Sequence, residues 1–421
     1  MHGFSRPDGT LVCEGASLEA IAQAAGTPVY VYSAGAIREQ YAAITRALSA
    51  VPHRVHFSVK ANSNHAILAL LRGLGAGVDI VSGGELYRAQ RAGFTGRDVV
   101  FSGVGKTERE LEEALAAEVL LVNVESEEEL RLLDRVAGRL GRVAPIALRV
   151  NPEVTVETPH PHTRTGERGM KFGIPYDESL AAGRLAASLP NVRLIGLDMH
   201  VGSQVSRLEP YRLGALRLLE LLEQLRREGA QDIRYFDLGG GFAVTYDDEP
   251  PADLETLAAA VVPAIASAGL TLIVEPGRFL VGNAAVLLTR VLYRKRSGGR
   301  DFVIVDAGMN DLLRPSHYNA FHRIEAVRPS GTRGTVDIVG PVCETGDCFG
   351  VGRELDDVRA GDLLAIHSAG AYGAAMSSNY NSRPRAAEVL VDGECFAIAT
   401  RRETYEDLVR HEPTELQWRS S

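Results

Sequence analysis

One unit recurs eight times between residues 53 and 278: a short apolar run, a Gly- or polar-rich end, then a stretch with helical periodicity. The runs are "RVHFSVKAN" (54–62), "GVDIVSGGE" (77–85), "DVVFSGVGK" (98–106), "EVLLVNVES" (118–126), "PIALRVNPE" (145–153), "RLIGLDMHVGSQ" (193–204), "IRYFDLGGGF" (233–242) and "LTLIVEPGR" (270–278). In the first, Val55, Phe57 and Val59 alternate with His56 and Ser58, the two-residue period of a strand. In the stretch "LGALRLLELLEQLRREG" (213–229), Leu218, Leu221, Leu222 and Leu225 share one helical face. Arg226 and Arg227 fall near its end, where cations suit the helix dipole. Such a repeat predicts an α/β chain whose eight parallel strands close into a TIM-like β/α barrel. The rival is a doubly wound open sheet, whose G-x-G-x-x-G after the first strand has no counterpart here.

After residue 283 the rhythm changes. "AVLLTRVLYRKR", "DFVIVDAG", "TVDIVGPVC", "DLLAIHSAGAYG" and "AEVLVDGECFAIATRRE" are short β-like runs with little helix between them, the pattern of an antiparallel β domain, barrel- or sandwich-like. "SGGR" (297–300) reads as a hairpin turn, and "TPVYVYS" (27–33) as an N-terminal strand joining that domain. The expected division is 1–33 with the β domain, 34–282 as the barrel and 283–421 as the C-terminal β domain. The polar, proline-interrupted segment 154–171 is expected to be a loop over one barrel end.

Composition removes several classes of function. With 45 Lys and Arg against 54 Asp and Glu the formal charge is −9, so neither a nucleic-acid footprint nor a membrane-surface face is expected. No run approaches the roughly 18 apolar residues of a membrane span. The N-terminal "MHGFSRPDGTLVCEG" lacks a signal-peptide core, and with four cysteines (Cys13, Cys343, Cys348, Cys395) the chain reads as a reduced, cytoplasmic protein. Cys343 and Cys348 have no second cysteine pair or histidine cluster beside them, so no metal site is expected.

In a β/α barrel the reactive end is where the strands' C-termini meet. The first run ends in Lys60; the second carries Asp79 and Ser82; the sixth His200, Gly202 and Ser203; the seventh Gly239, Gly240 and Gly241; the eighth Glu275, Gly277 and Arg278. A lysine at a strand end is ordinarily just solvated, and three glycines make a tight turn as readily as a cradle. Their occurrence together at one barrel end carries the argument. Loops after strands seven and eight are the habitual phosphate site of barrels, glycines let backbone N–H groups approach an anion, and Arg278 adds a fixed charge. A lysine facing an anion cradle fits pyridoxal 5'-phosphate, held through the lysine as a Schiff base, with Glu275 placed to pair with its ring nitrogen. Asp198 and Asp237 interrupt apolar runs, and their partners are not readable from the sequence.

"FSVKAN", "HVGSQ", "DLGGGF", "EPGR", "GPVCETGD" and "GAYG", in that order, resemble the barrel-type (fold type III) pyridoxal phosphate decarboxylases, and within them the diaminopimelate decarboxylase family. The resemblance runs from about residue 27 to about residue 410. It implies that Lys60 is the Schiff-base lysine, that His200 stacks on the ring face, and that Ser203, Gly240, Gly241, Gly277, Arg278 and Tyr372 surround the phosphate. Glu275 is implied as the pyridine partner, and Asp79 as a further cofactor-site residue. Cys343 is implied as the acid that protonates Cα; a thiol suits this near neutral pH, with an unperturbed pKa of about 8.5. The resemblance further implies a homodimer in which Cys343 and Glu344 enter the other subunit's site.

The far end of the substrate separates this family from its sisters. Ornithine and lysine end in a bare ammonium, whereas diaminopimelate ends in a second amino-acid group and needs a pocket for a carboxylate and an ammonium together. "NDLLRPSHYNAFH" (310–322) supplies Arg314 and Tyr318. By resemblance these two and Arg278 serve the distal carboxylate, Glu344 the distal ammonium, and Tyr372 is counted among the substrate contacts. "HTRTGERGMKFGI" (162–174) resembles the loop after strand five in the same enzymes. The expected reaction is decarboxylation of meso-2,6-diaminopimelate to L-lysine and carbon dioxide, the last step of lysine synthesis. The alternatives are a sister decarboxylase acting on ornithine, lysine or arginine, a barrel racemase, and a cofactor-binding protein without turnover. A racemase would pair the ring nitrogen with arginine, and Glu275 argues against it. The cofactor carriers lack the second β domain that this chain has.

Overall fold

The computed structural model describes residues 3–156, 158–160 and 165–419. It forms two compact units: Ala34–Ala284, and Met1–Ser33 together with Ala285–Ser421.

All eight runs of the first unit are strands: His53–Ser58, Gly77–Ile80, Val99–Phe101, Leu121–Val124, Ala144–Asn151, Val192–Asp198, Tyr235–Asp237 and Thr271–Val274. Each pairs in parallel with the next. The eighth returns to the first through Leu272↔His53 and Val274↔Val55, which closes the barrel. Three of these strands, Gly77–Ile80, Val99–Phe101 and Leu121–Val124, have every residue buried, as expected where helices cover the outside and side chains fill the inside. The predicted helix forms over Glu209–Arg227 and buries Leu218, Leu221, Leu222 and Leu225. Polar residues just past the strands cap the helices that follow: Asn64 Oδ1 accepts the Ala66 N–H at 2.9 Å and Ser82 Oγ the Glu85 N–H at 3.2 Å. Ser82 is thus a cap.

The barrel interior changes character in one step. Val100, Leu121, Ala147, Ile195 and Ile273 form an apolar layer against which Tyr235 packs. Because strand side chains alternate, the next inward-facing residue lies two positions on. Those residues are Ser102, Asn123, Arg149, Asp237 and Glu275. On the sixth strand a register shift between Leu194 and Gly196 inserts one residue, so the inward polar residue is Asp198, three after Ile195. An apolar plug is therefore topped by a polar layer at the strands' C-terminal ends.

In the second unit, Ala285–Ser297 pairs antiparallel with Val29–Ser33, Leu363–His367 and Arg300–Val305. "SGGR" is the two-residue turn joining the last of these, with Gly298 and Gly299 at φ 57° and 80°. The N-terminal strand joins this unit, but the expected antiparallel pairing holds only in part. Val29–Ser33 runs parallel to Ala387–Asp392, and Arg300–Val305 parallel to Arg333–Val339. Neither pair is joined by a hairpin, so no turn dictates opposite directions. Val29, Val31, Val286, Leu288, Val389 and Val391 pack with Leu18 and Ile21 in one core. Among the described residues no helix is long and apolar enough to cross a membrane.

Candidate active site

The first strand stops at Ser58, and a single 3-10 turn, Val59–Ala61, carries Lys60 beyond it. Lys60 Nζ donates to Asp79 Oδ2 at 2.5 Å and to Ser58 Oγ at 3.3 Å. Ser58 Oγ lies 2.9 Å from Asp79 Oδ2 and from the Glu275 carbonyl oxygen. Burial would push the Asp79 carboxyl up, but Lys60 and the Ser58 and Ser102 hydroxyls outweigh it and hold the group below the ordinary carboxylate value.

Around this pair lie the acids of the polar layer. Oxygens of Asp198, Asp237 and Glu275 lie within 4.8 Å of one another, and all three side chains are buried. Ser102 Oγ approaches Glu275 Oε1 at 3.4 Å and is itself held by Asn123 Nδ2 at 3.0 Å. Asp237 Oδ1 accepts the Gly239 N–H at 2.9 Å. Arg149 lies 2.9 Å from Glu125 Oε1 and 3.7 Å from Asp198 Oδ2. Burial pushes Glu275 and Asp198 well above the carboxylate range, with the charge of Asp237 adding to both. Burial likewise takes Asp237 up to about 7.

His200 follows the sixth strand. Burial, then the cations Arg149 and Lys60, take its imidazole down to about 3, so it is neutral. Nδ1 accepts the Gly240 N–H at 3.2 Å, which leaves the ring proton on Nε2. Gly240 thus serves to orient the histidine in this structure. The glycine run is tightly enclosed: a Cβ on Gly240 would strike the Glu275 carbonyl oxygen, and one on Gly241 that of Gly202. Gln204 ties the loops after strands six and seven together, donating to Val244 O at 2.5 Å and accepting the Val244 N–H at 3.2 Å. Gly277 opens the short helix Arg278–Val281, where an added Cβ would come to 3.0 Å from the Cβ atoms of Ser58 and Ala61. Arg278, 8% exposed, reaches Tyr246 Oη at 2.5 Å and Ser203 Oγ at 3.1 Å.

The remaining expected residues stand on the β unit. Arg314, 6% exposed, and Tyr318 begin and end the helix Arg314–Tyr318. Arg314 donates to His322 Nε2 at 3.0 Å, and His322 Nδ1 donates to the His367 carbonyl at 2.8 Å, which fixes the tautomer. Cys343 and Glu344 are exposed. Their loop is pinned by the buried Asp347 carboxylate, which accepts the Val342 and Met309 N–H groups at 2.6 Å each. The Cys343 N–H reaches Asn381 Oδ1 at 3.0 Å. Tyr372 adopts a left-handed backbone, φ 57°. In the 162–174 stretch, His162, Thr163 and Arg164 lie outside the described residues.

Sequence reasoning missed Ser58, Ser102, Asn123, Arg149, Tyr246 and Asp347, and saw Asp198 and Asp237 without a role. For Ser102, Asn123 and Arg149 a signal existed, a polar side chain two positions past an inward apolar one; Ser58 follows His56 and lacked it. Tyr246 and Asp347 gave no periodic signal, since both lie in irregular loops.

A closed parallel barrel with a lysine, a neutral histidine, buried acids and a glycine–arginine cradle at its strand ends has the layout of a barrel enzyme acting through a small anionic cofactor. Residues 34–282 match the family described as "Pyridoxal-dependent decarboxylase, pyridoxal binding domain". The diaminopimelate decarboxylase of Pseudomonas aeruginosa is 50% identical over 409 residues, 97% of this chain and 98% of that protein. The crystal structure of diaminopimelate decarboxylase from M. jannaschi has a TM-score of 0.93 at 35% identity, covering 98% of both chains. That of the Helicobacter pylori enzyme complexed with L-lysine has a TM-score of 0.90 at 39% identity, covering 94% of this chain and 98% of that one. The chain belongs to the diaminopimelate decarboxylase family of pyridoxal-dependent decarboxylases.

Proposed function

We propose that this chain removes one carboxylate from meso-2,6-diaminopimelate, giving L-lysine and carbon dioxide as the last step of lysine synthesis. The observation that carries the reading is the lysine–aspartate pair set beside a buried carboxyl at the mouth of a barrel alike over its full length to enzymes of that name. The donor set fits pyridoxal phosphate: an amine for its aldehyde, a buried carboxyl for its ring nitrogen, a neutral imidazole for its ring face, and backbone N–H groups with Arg278 for its phosphate. When bound, that cofactor supplies a sink for the electron pair left at Cα as carbon dioxide departs.

The chain's own residues do the rest. Lys60 anchors the cofactor, with Asp79 and Ser58 fixing its amine. Glu275 would pair with the ring nitrogen of the bound cofactor and hold a proton there. His200, neutral and oriented by Gly240, offers a flat uncharged face. Ser203, Gly241, Gly277, Arg278 and Tyr372 are assigned to the phosphate, and Gly240, whose N–H is held by His200, to the turn that shapes the cradle. Arg278, Arg314 and Tyr318 are assigned to the substrate's distal carboxylate side, Glu344 to its distal ammonium, and Tyr372 is counted among the substrate contacts. An arginine at that position supplies direction as well as charge. The thiol of Cys343 returns a proton to Cα. The exposure of Cys343 and Glu344 in a single chain supports a homodimer in which they serve the partner's site. Four free cysteines and an acidic balance support a cytoplasmic protein with neither nucleic-acid nor membrane partners.

The test is carbon dioxide release by the cofactor-loaded protein with meso-diaminopimelate, ornithine, lysine and arginine, identifying each product. Release from diaminopimelate alone, with lysine formed, is expected. Release from ornithine or arginine would keep fold and cofactor but overturn the assignment of the distal pocket.

A further inference from the structure

The polar layer holds more acid than it can leave ionised. Asp79, Glu125, Asp198, Asp237 and Glu275 are each less than a tenth exposed. Among the described residues two cations pair with them: Lys60 with Asp79, and Arg149 with Glu125 and Asp198. The nearby His200 is neutral. Asp237 and Glu275 have no cation of their own in these pairings.

The geometry between those two is specific. Asp237 Oδ1 is occupied by the Gly239 N–H. Its Oδ2 is buried and meets no N–H or O–H donor among the described residues, while an oxygen of the Glu275 carboxyl lies within 4.8 Å of an Asp237 oxygen. Ionised carboxylates have acceptors only, so two in this position would repel; one proton between them makes an O–H···O bond. Asp198 Oδ1, equally buried and without a donor, stands beside them as a further acceptor.

We infer that Asp237 and Glu275 share one proton at neutral pH and that Asp198 helps to retain it, making Asp237 and Asp198 positioning residues that set the ionisation of the ring-nitrogen partner. The protein then stores a proton at the place where the cofactor's ring nitrogen needs one. This rests on the reading of Glu275 given above, but the shared proton belongs to the cofactor-free chain and is measured there.

The experiment is infrared spectroscopy of the cofactor-free full-length protein, counting protonated carboxyl C=O absorbance per chain at pH 7, for wild type, Asp237→Asn, Glu275→Gln and the double variant. Each single variant should lose one carboxyl equivalent, and the double variant should lose no more than either single. A double variant that loses two equivalents means independently protonated acids, and single variants that lose none mean ionised ones; each overturns the proposal. So does one equivalent of tightly bound cation per chain, found by elemental analysis, because the cation would replace the proton. Should one variant fail to fold, the wild type and the other single variant decide: the band must be present at pH 7, where ordinary carboxyls are ionised, and must fall by one equivalent on the remaining substitution, and either failure refutes the shared proton. Failure of carbon dioxide release with diaminopimelate would leave this outcome untouched, so the two readings fail separately.

Discussion

The two units carry their candidate residues in opposite ways. The barrel places Lys60, Asp79, His200, Glu275 and Arg278 at or just past the ends of strands, where they hydrogen-bond to one another or to neighbouring loops. The β unit holds Arg314 and Tyr318 on a five-residue helix and leaves Cys343 and Glu344 exposed on a loop. Groups that must keep a cofactor in one orientation gain from rigid strand ends. A group that must deliver a proton and be recharged from water gains from a loop. If that division is right, barrel and loop substitutions should fail in different ways.

The largest effect is expected for Lys60→Ala. Turnover should fall by about a thousandfold or more, the scale of losing a covalent and proton-transferring group, and the visible absorbance of bound cofactor should vanish after dialysis. A band that survives dialysis would remove Lys60 as the anchor. Cys343→Ala should separate the two units cleanly. Turnover is expected to drop by about 10²–10⁴-fold, with cofactor absorbance and binding unchanged; unaltered turnover would show that the acid lies elsewhere.

Asp347→Ala sharpens the comparison on the β side. Losing both acceptors strands two N–H groups bonded at 2.6 Å, at a cost of about 2–4 kcal/mol in denaturant unfolding. Turnover should fall by about ten- to a hundredfold through misplacement of the Cys343 loop, with the cofactor band intact. The smallest effect is a pH dependence in the barrel. His200 has a folded value of about 3, below its unfolded one, so the folded state binds fewer protons and loses stability as pH falls from about 6.5 toward 3. His200→Asn keeps an acceptor for Gly240 without the titration. Relative to wild type it should gain about 1–2 kcal/mol between pH 7 and pH 4.5, the figure reduced because the ring is only partly buried. Parallel stability curves for the two proteins would contradict this.

Period and punctuation made the barrel legible, since each of its strands is an apolar run ending in polar residues, and Lys60, His200 and Glu275 stand directly at those ends. The polar layer was only half legible. Asp198 and Asp237 stood out inside apolar runs, but their convergence depends on barrel closure and on a one-residue bulge that no periodicity reveals. Strand direction in the β unit was hidden because Val29–Ser33 and Ala387–Asp392 meet without a connecting turn. Nothing in "GPVCETGD" distinguishes Asp347 as the anchor from Glu344 as the exposed acid. Only the hydrogen bonds do so.

The enclosed glycine run bears on how this pocket could be redesigned. The nearest obstacles to a side chain at Gly240 and Gly241 are carbonyl oxygens from other segments, which cannot rotate aside as a side chain could. Saturation mutagenesis at these positions should return almost solely wild-type glycine among active clones. Diversity aimed at a different anion has room only at neighbours that already bear side chains, Ser203 and Tyr246 above all.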